Sequence, residues 1–250
     1  MKMNMKKSVK MTLLALAGAV VMVGAGVLTG CNSSYGKPET RTFAVGDYTA
    51  IDASNAWEIE MVEGATVATV TLDELLFDHL VFEVRVINGV RTLVIELTGW
   101  QTGNIKSKKI VLPMNEELRK VSLSGACQIT ILDETELEEV HLSGASKADI
   151  LGAGNMKEMS LSGASKADIS GQGDEMKIDI SGASKLEAEK LYLSAVEGSV
   201  SGASSINVTI CSGLEVVASG ASHILYGLVS QSCDPEIDCE LTGSSYIEMR

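Results

Sequence analysis

The tripeptide Ser-Gly-Ala begins at Ser124, Ser143, Ser162, Ser181, Ser201 and Ser219, and Thr242-Gly243-Ser244 repeats it in altered form. The intervals are 19, 19, 19, 20, 18 and 23 residues, and the string LSGASKADI occurs twice, at 142–150 and 161–169. A period near 19 is too short for a pair of helices, and no heptad runs through it. Aligned on the first Ser, the copies show a period of two on both sides. One residue before it stand Leu123, Leu142, Leu161, Ile180 and Val200; five and seven after stand Ile129 and Ile131, Ala148 and Ile150, Ala167 and Ile169. Polar residues fill the places between, such as Ser122, His141 and Ser160. Alternation of this kind means strands with one buried face. The Gly in every copy breaks the strand and supplies a corner.

One such unit cannot bury its own apolar face, so the units must stack, and strands stacked at about 4.8 Å turn each aligned column into a ladder. The expected fold is all-β: a single-stranded, right-handed parallel β-helix (β-solenoid) of coils of about 19 residues. The right-handed form is expected because the six-residue subperiod of left-handed hexapeptide helices is absent. Seven coils would make a rod about 30 Å long.

Residues 41–115 are expected to open the same domain as irregular first coils, with the regular coils at 116–250. Ser54-Asn55-Ala56 fits the corner template, with Ile51 and Ala53 before it and Ile59 and Met61 after it at interior offsets. Asn is the residue next best suited after Gly to a left-handed backbone position. Residues 73–79 read as a short helical turn, and 81–87 and 91–97 as strands of a hairpin joined by Asn88-Gly89. A further strand is expected at 109–112.

The first 30 residues are read as an address. Lys2, Lys6, Lys7 and Lys10 precede a nearly continuous apolar stretch that ends in Leu28-Thr29-Gly30-Cys31, the layout of a secretory signal peptide. The Leu-x-Gly-Cys ending resembles the bacterial lipoprotein signal, which implies lipidation of Cys31 and a body tethered to the membrane; Asn32 follows in place of the Asp that signals inner-membrane retention, so the outer membrane is expected. A multiply acylated cysteine holds such a body because each buried methylene contributes about 0.8 kcal/mol. Residues 31–40 are expected to be a flexible tether. Outside the first 30 residues, 16 basic residues face 33 acidic ones, −17 in formal charge. Such a surface repels phosphates, and no nucleic-acid partner is expected.

The repeated V-x-L-S-G-A-S strings, the opening Ile51-Asp52-Ala53-Ser54-Asn55-Ala56 and the lipoprotein start resemble the head GIN domain family, which carries an adhesin label. The resemblance covers residues 45–250 and implies a β-helix-like fold without catalytic residues. Asn55 departs from the Gly usual at the opening corner.

Three sets of side chains invite a functional reading. Lys147, Lys166 and Lys185 share an outward column, a candidate basic stripe for an acidic ligand; the stronger reading is charge compensation, because Asp149, Asp168 and Glu187 lie two residues on along the same face. The Ser ladders lack a G-x-S-x-G elbow, and the three histidines sit at unrelated repeat positions, so hydroxyls that satisfy corner backbone groups are expected rather than nucleophiles. Gly152-Ala153-Gly154-Asn155 and Gly171-Gln172-Gly173-Asp174 resemble calcium-binding nonapeptides only faintly, since the tandem nine-residue period is missing. No H-E-x-x-H, C-x-x-C or P-loop occurs, so no catalytic residue, metal site or cofactor is assigned. Cys127, Cys211, Cys233 and Cys239 are even in number in an exported chain. A disulfide among Cys211, Cys233 and Cys239 would brace the last coil, and the pairing is left open.

The expected function is a non-enzymatic, lipid-anchored cell-envelope protein that binds a glycan or protein partner. A carbohydrate-active β-helix enzyme and a purely structural spacer are the rivals. The first would need long loops bearing clustered carboxylates and basic residues over one face, which coils of about 19 residues accommodate only between Ser219 and Thr242.

Overall fold

In the computed structural model, residues 35–99 and 104–250 are described. The signal segment, Cys31 and the first residues of the tether lie outside them. The strands are β1 (Pro38–Phe43), β2 (Ala50–Ala53), β3 (Glu58–Val62), β4 (Ala68–Asp73), β5 (Leu80–Ile87), β6 (Val90–Leu97), β7 (Lys108–Pro113), β8 (Lys120–Leu123) and β9 (Gln128–Ile131). Then follow β10 (Glu139–Leu142), β11 (Lys147–Ala153), β12 (Glu158–Leu161), β13 (Lys166–Ile180), β14 (Lys185–Val200), β15 (Ser205–Ala218), β16 (His223–Leu228), β17 (Glu236–Leu241) and β18 (Tyr246–Met249). From β8 onward nearly every pairing is parallel to the equivalent strand one coil away: β10 lies between β8 and β12, and β11 between β9 and β13. This is a β-solenoid of stacked coils. The columns are in register, Leu123 against Leu142 and Leu142 against Leu161, and all three are buried.

The corner explains the repeat. Within it, Ala164 N–H donates to the Gly144 carbonyl at 2.7 Å and Ser162 N–H to the Leu142 carbonyl at 2.9 Å. Gly163 has φ +76°, and a Cβ there would lie 2.4 Å from the Gly144 carbonyl oxygen. Gly is thus required by backbone conformation and by the closeness of the coil beneath. The last Ser of each corner turns inward: Ser146 and Ser165 are buried, and their hydroxyls donate to the carbonyls of Ser143 and Ser162 at 2.8 Å. This local bond satisfies a corner carbonyl.

The first third joins the stack out of sequence order. β2 pairs in parallel with β8 on one side and β6 on the other, and β3 likewise with β9 and β7. The coil first in the chain is therefore the second layer, and the chain returns beneath it. β5 closes the end antiparallel to β6, and β4 and β1 close it beside β7. The hairpin turn has Asn88 and Gly89 both at positive φ, and the helical turn is a 3-10 segment, Glu74–His79. The tether is shorter than its composition implied, because Pro38, Glu39 and Thr40 already pair with Asp73, Leu72 and Thr71.

Asn55 sits at the opening corner with φ +75°. Among the described residues the end of β6 lies beneath it, where its side chain finds a partner. Its Oδ1 accepts from the Leu97 N–H at 3.0 Å. At the other end, no coil among the described residues covers the last interior columns, and Leu241 and Met249 are exposed by 39% and 57%, although both stand at interior offsets in the alignment.

Candidate functional site

The lysines of the outward column stack as read: Lys147 beside Lys166, and Lys166 beside Lys185. Lys147 pairs with Asp149 and Lys185 with Glu187. The column continues through Ser205, His223 and Tyr246, whose last two rings stack at 4.2 Å. Two of the three lysines are thus matched by a carboxylate on their own strand, an arrangement that keeps a ladder of like charges tolerable.

The larger concavity lies elsewhere, on the flank between the end of one coil's second strand and the start of the next coil. It is a groove of about 720 Å³ lined by Glu63, Glu116, Asp133, Glu134 and Glu136, with Gly152, Gly154 and Gly171 along it. A second hollow of about 490 Å³ shares Gly154 and Gln172 with it and carries the exposed Tyr192. The glycines create this channel. A Cβ on Gly171 would come 2.2 Å from the Ala153 carbonyl oxygen, so the coils approach too closely there for a side chain and the floor is bare at its glycines.

Backbone bonds hold the acidic rim. Thr135 N–H donates to the Gly152 carbonyl at 3.1 Å, Gly154 N–H to the Thr135 carbonyl at 2.9 Å, and Glu136 N–H to the Glu116 carbonyl at 2.9 Å. Thr135 is buried, which anchors the segment, while Asp133, Glu134 and Glu136 on either side of it point to solvent. Five carboxylates around one hollow form a negative field that concentrates cations and repels anions. The Gly-rich strings at 152–155 and 171–174, which resemble calcium loops faintly, thus serve as floor, and the second of them lies inside β13. The acidic rim was missed because its residues fall in the non-periodic links between coils. The run Asp133-Glu134-Thr135-Glu136 was the available signal.

The remaining candidates are cysteines. Cys211 and Cys233 form a disulfide across 22 residues, joining β15 to the segment before β17. Cys239 and Cys127 are free thiols. Cys127 takes the place of the last corner Ser and is buried, and its sulfur accepts the Trp57 N–H at 3.3 Å. Burial pushes the Cys127 thiol pKa up, with the Trp57 N–H opposing, so it stays protonated and unreactive.

Residues 47–227 match the model of the family described as putative auto-transporter adhesin, head GIN domain. The chain belongs to the head GIN domain family. Solved structures share its architecture. A putative adhesin from Bacteroides fragilis is 19% identical with a TM-score of 0.70, covering 85% of this chain and 96% of that one. A putative adhesin from Parabacteroides merdae is 16% identical with a TM-score of 0.65, covering 86% and 97%. A protein from Parabacteroides distasonis described as a putative lipid binding protein is 24% identical with a TM-score of 0.60, covering 86% and 97%. At these identities the likeness speaks for the fold of the head GIN chain. Among curated proteins, none matches it.

Proposed function

We propose that this head GIN protein is a non-enzymatic, lipid-anchored cell-envelope adhesin that holds its partner along the acidic groove. The observation that carries the reading is the bare-floored channel rimmed by Glu63, Glu116, Asp133, Glu134 and Glu136, which continues to the exposed Tyr192. A floor in which Gly152, Gly154 and Gly171 carry no side chains admits an extended chain lying close to backbone, and the rim selects positive groups. The favoured partner is therefore a protein segment or glycan that bears amino or guanidinium groups. An exposed aromatic ring at the groove's end offers a stacking surface of the kind used by both ligand classes. The tether at Cys31, supported by the signal-like N-terminus, would place the groove at the membrane surface.

Binding arrays of basic peptides and of neutral, amino and acidic glycans, probed with the 32–250 chain, test this reading. Basic or amino ligands should bind, binding should weaken as salt rises, and the Glu134→Gln/Glu136→Gln variant should lose it. Selection of acidic ligands, with loss in Lys147→Gln/Lys166→Gln/Lys185→Gln instead, would move the site to the lysine column. Turnover of a polyuronide would refute the non-enzymatic part. Cys31→Ser should shift the protein from the membrane to the soluble fraction.

A further inference from the structure

On the flank built from β8, β10 and β12, alternate residues stand outward, so Glu139 and His141 share one face of β10. Glu158, one coil on, is the parallel neighbour of Glu139. Adjacent strands put these two carboxylates about 4.8 Å apart at the backbone, an unfavourable pairing of like charges unless something lies between them. His141 stands there. Its Nε2 is 3.6 Å from Glu139 Oε2 and 3.7 Å from Glu158 Oε1, too far for a hydrogen bond to either. That nitrogen is shielded from solvent and has no hydrogen-bond partner. An orphaned buried nitrogen facing two carboxylates is a costly arrangement for the protein alone.

One donor atom from each of the three residues lies within 4.8 Å of the other two. A tetrahedral ion with nitrogen and oxygen ligands at about 2.1 Å needs its ligand atoms about 3.4 Å apart. The two histidine–carboxylate separations are already close to that, and only the carboxylates have to draw together. We propose that Glu139, His141 and Glu158 form a binding site for a divalent first-row transition-metal ion, with Zn²⁺ the best-suited occupant and water completing its shell. The donor set argues for this class. Imidazole with carboxylates suits borderline ions, whereas Ca²⁺ and Mg²⁺ require shells made of oxygen.

The surroundings are consistent. Lys120 Nζ donates to Glu139 Oε2 at 2.7 Å and so fixes that carboxylate's orientation, the role a supporting partner plays for a ligating carboxylate. Ser122 and Ser160, the column neighbours of His141, are small, and the Glu158 side chain is 47% exposed, so an ion can enter past Glu158 although the His141 nitrogen is covered. The spacing Glu-x-His on one strand, with Glu one period later, is too short a signal to single out by sequence. The site is separate from the acidic groove and stands whether or not the groove binds a partner.

The test is calorimetric titration of the full-length, chelator-treated protein with Zn²⁺ alone, repeated with Ca²⁺, alongside thermal melts with and without Zn²⁺. One Zn²⁺ per chain should bind and raise the melting midpoint, and a large excess of Ca²⁺ should not displace it. His141→Gln and Glu158→Gln should each weaken Zn²⁺ binding at least about tenfold, while His223→Gln should bind as the parent does. Circular dichroism melts of the metal-free variants confirm that they fold. Absence of Zn²⁺ binding, unchanged affinity in His141→Gln or Glu158→Gln, or displacement by equimolar Ca²⁺ would each overturn the proposal.

Discussion

Replacing Gly163 by Ala tests how the solenoid is held together, because a single methyl group probes the gap between coils. The matched control is Gly64→Ala. Both glycines have positive φ, +76° and +79°, but the Gly64 Cβ position has nothing within 4 Å whereas that of Gly163 lies 2.4 Å from the Gly144 carbonyl oxygen. Backbone conformation alone costs an alanine about 1–2 kcal/mol at either site. At Gly163 the methyl also has to reach 3.0 Å or more from that oxygen, so the corner must open by about 0.6 Å, a misfit of the kind that costs about 1–3 kcal/mol. The opening stretches the Ala164-to-Gly144 and Ser162-to-Leu142 hydrogen bonds, now 2.7 and 2.9 Å. Each is worth about 1 kcal/mol, and more if its groups are left unpaired. The expected penalty is about 1 kcal/mol for Gly64→Ala and about 3–5 kcal/mol for Gly163→Ala. For a chain of this size that difference amounts to roughly 5–15 °C in melting midpoint. Urea melts read by circular dichroism, with hydrogen exchange at Ala164 and Ala183 to localise the damage, provide the measurement. If the two variants lose equal stability, the close corner stacking, and with it this account of the repeat, is wrong.

Four further outcomes are expected. Gly163→Val should destabilise more than Gly163→Ala, whereas Ser160→Val, on the outward face between His141 and Asp179, should stay within about 0.5 kcal/mol of the parent. Breaking the Cys211–Cys233 bond with Cys211→Ser opens a loop spanning 22 residues and should cost about 3 kcal/mol. Exchange protection should fall in β15 to β18 alone, and a uniform loss along the rod would contradict the local role. Partial desolvation of its carboxyl, and secondarily Glu96, raises the Asp52 pKa although the residue keeps an exposed surface, so its ionised form is disfavoured in the fold. Stability linked to it is present at low pH and is lost as pH rises through the raised value, which means Asp52→Asn should lift the melting midpoint at pH 7 and change nothing near pH 3. Glu139 has the opposite sign: its pKa, depressed chiefly by the Lys120 hydrogen bond, gives stability above the ordinary carboxylate range that is lost on acidification, so Lys120→Met should lower stability at pH 7 by up to about 1 kcal/mol and converge with the parent in acid. An unchanged gap across pH would exclude the Lys120 bond as its cause.

The repeat was legible because stacking forces equivalent residues into one environment. Val121, Val140, Met159 and Ile178 had to be apolar for the same reason, and all are buried. The Asn88-Gly89 turn was equally local and equally readable. What a linear reading does not contain is which coils become neighbours. Ile51 pairs with Leu93 on one side and Val121 on the other, and nothing in residues 50–62 marks the chain's return beneath them. Trp57 shows the same limit from the other direction. It occupies the place of a small corner residue, yet its large side chain is fully buried and its backbone N–H meets the Cys127 sulfur of the next layer, a contact across 70 residues that no local pattern announces. The groove was hidden because its rim comes from links that break the period, so alignment on the repeat discards it. The exposure of Leu241 and Met249 follows from their being last, which pattern alone does not weigh.

Because the chain doubles back under its opening coil, the two ends of the rod are not equivalent as sites of change. The segment from β1 to β9 is interlocked: its layers are stacked in an order different from their order of synthesis, so none can be removed without disrupting its neighbours in space. Every coil after Ile131 is simply laid on the one before. A duplication or deletion of one period there, such as the copying implied by the twin LSGASKADI strings, preserves each interface and alters only reach. The architecture thus sets a fixed base and an adjustable arm, and the length of the arm is a quantity that evolution or an engineer can tune one coil at a time.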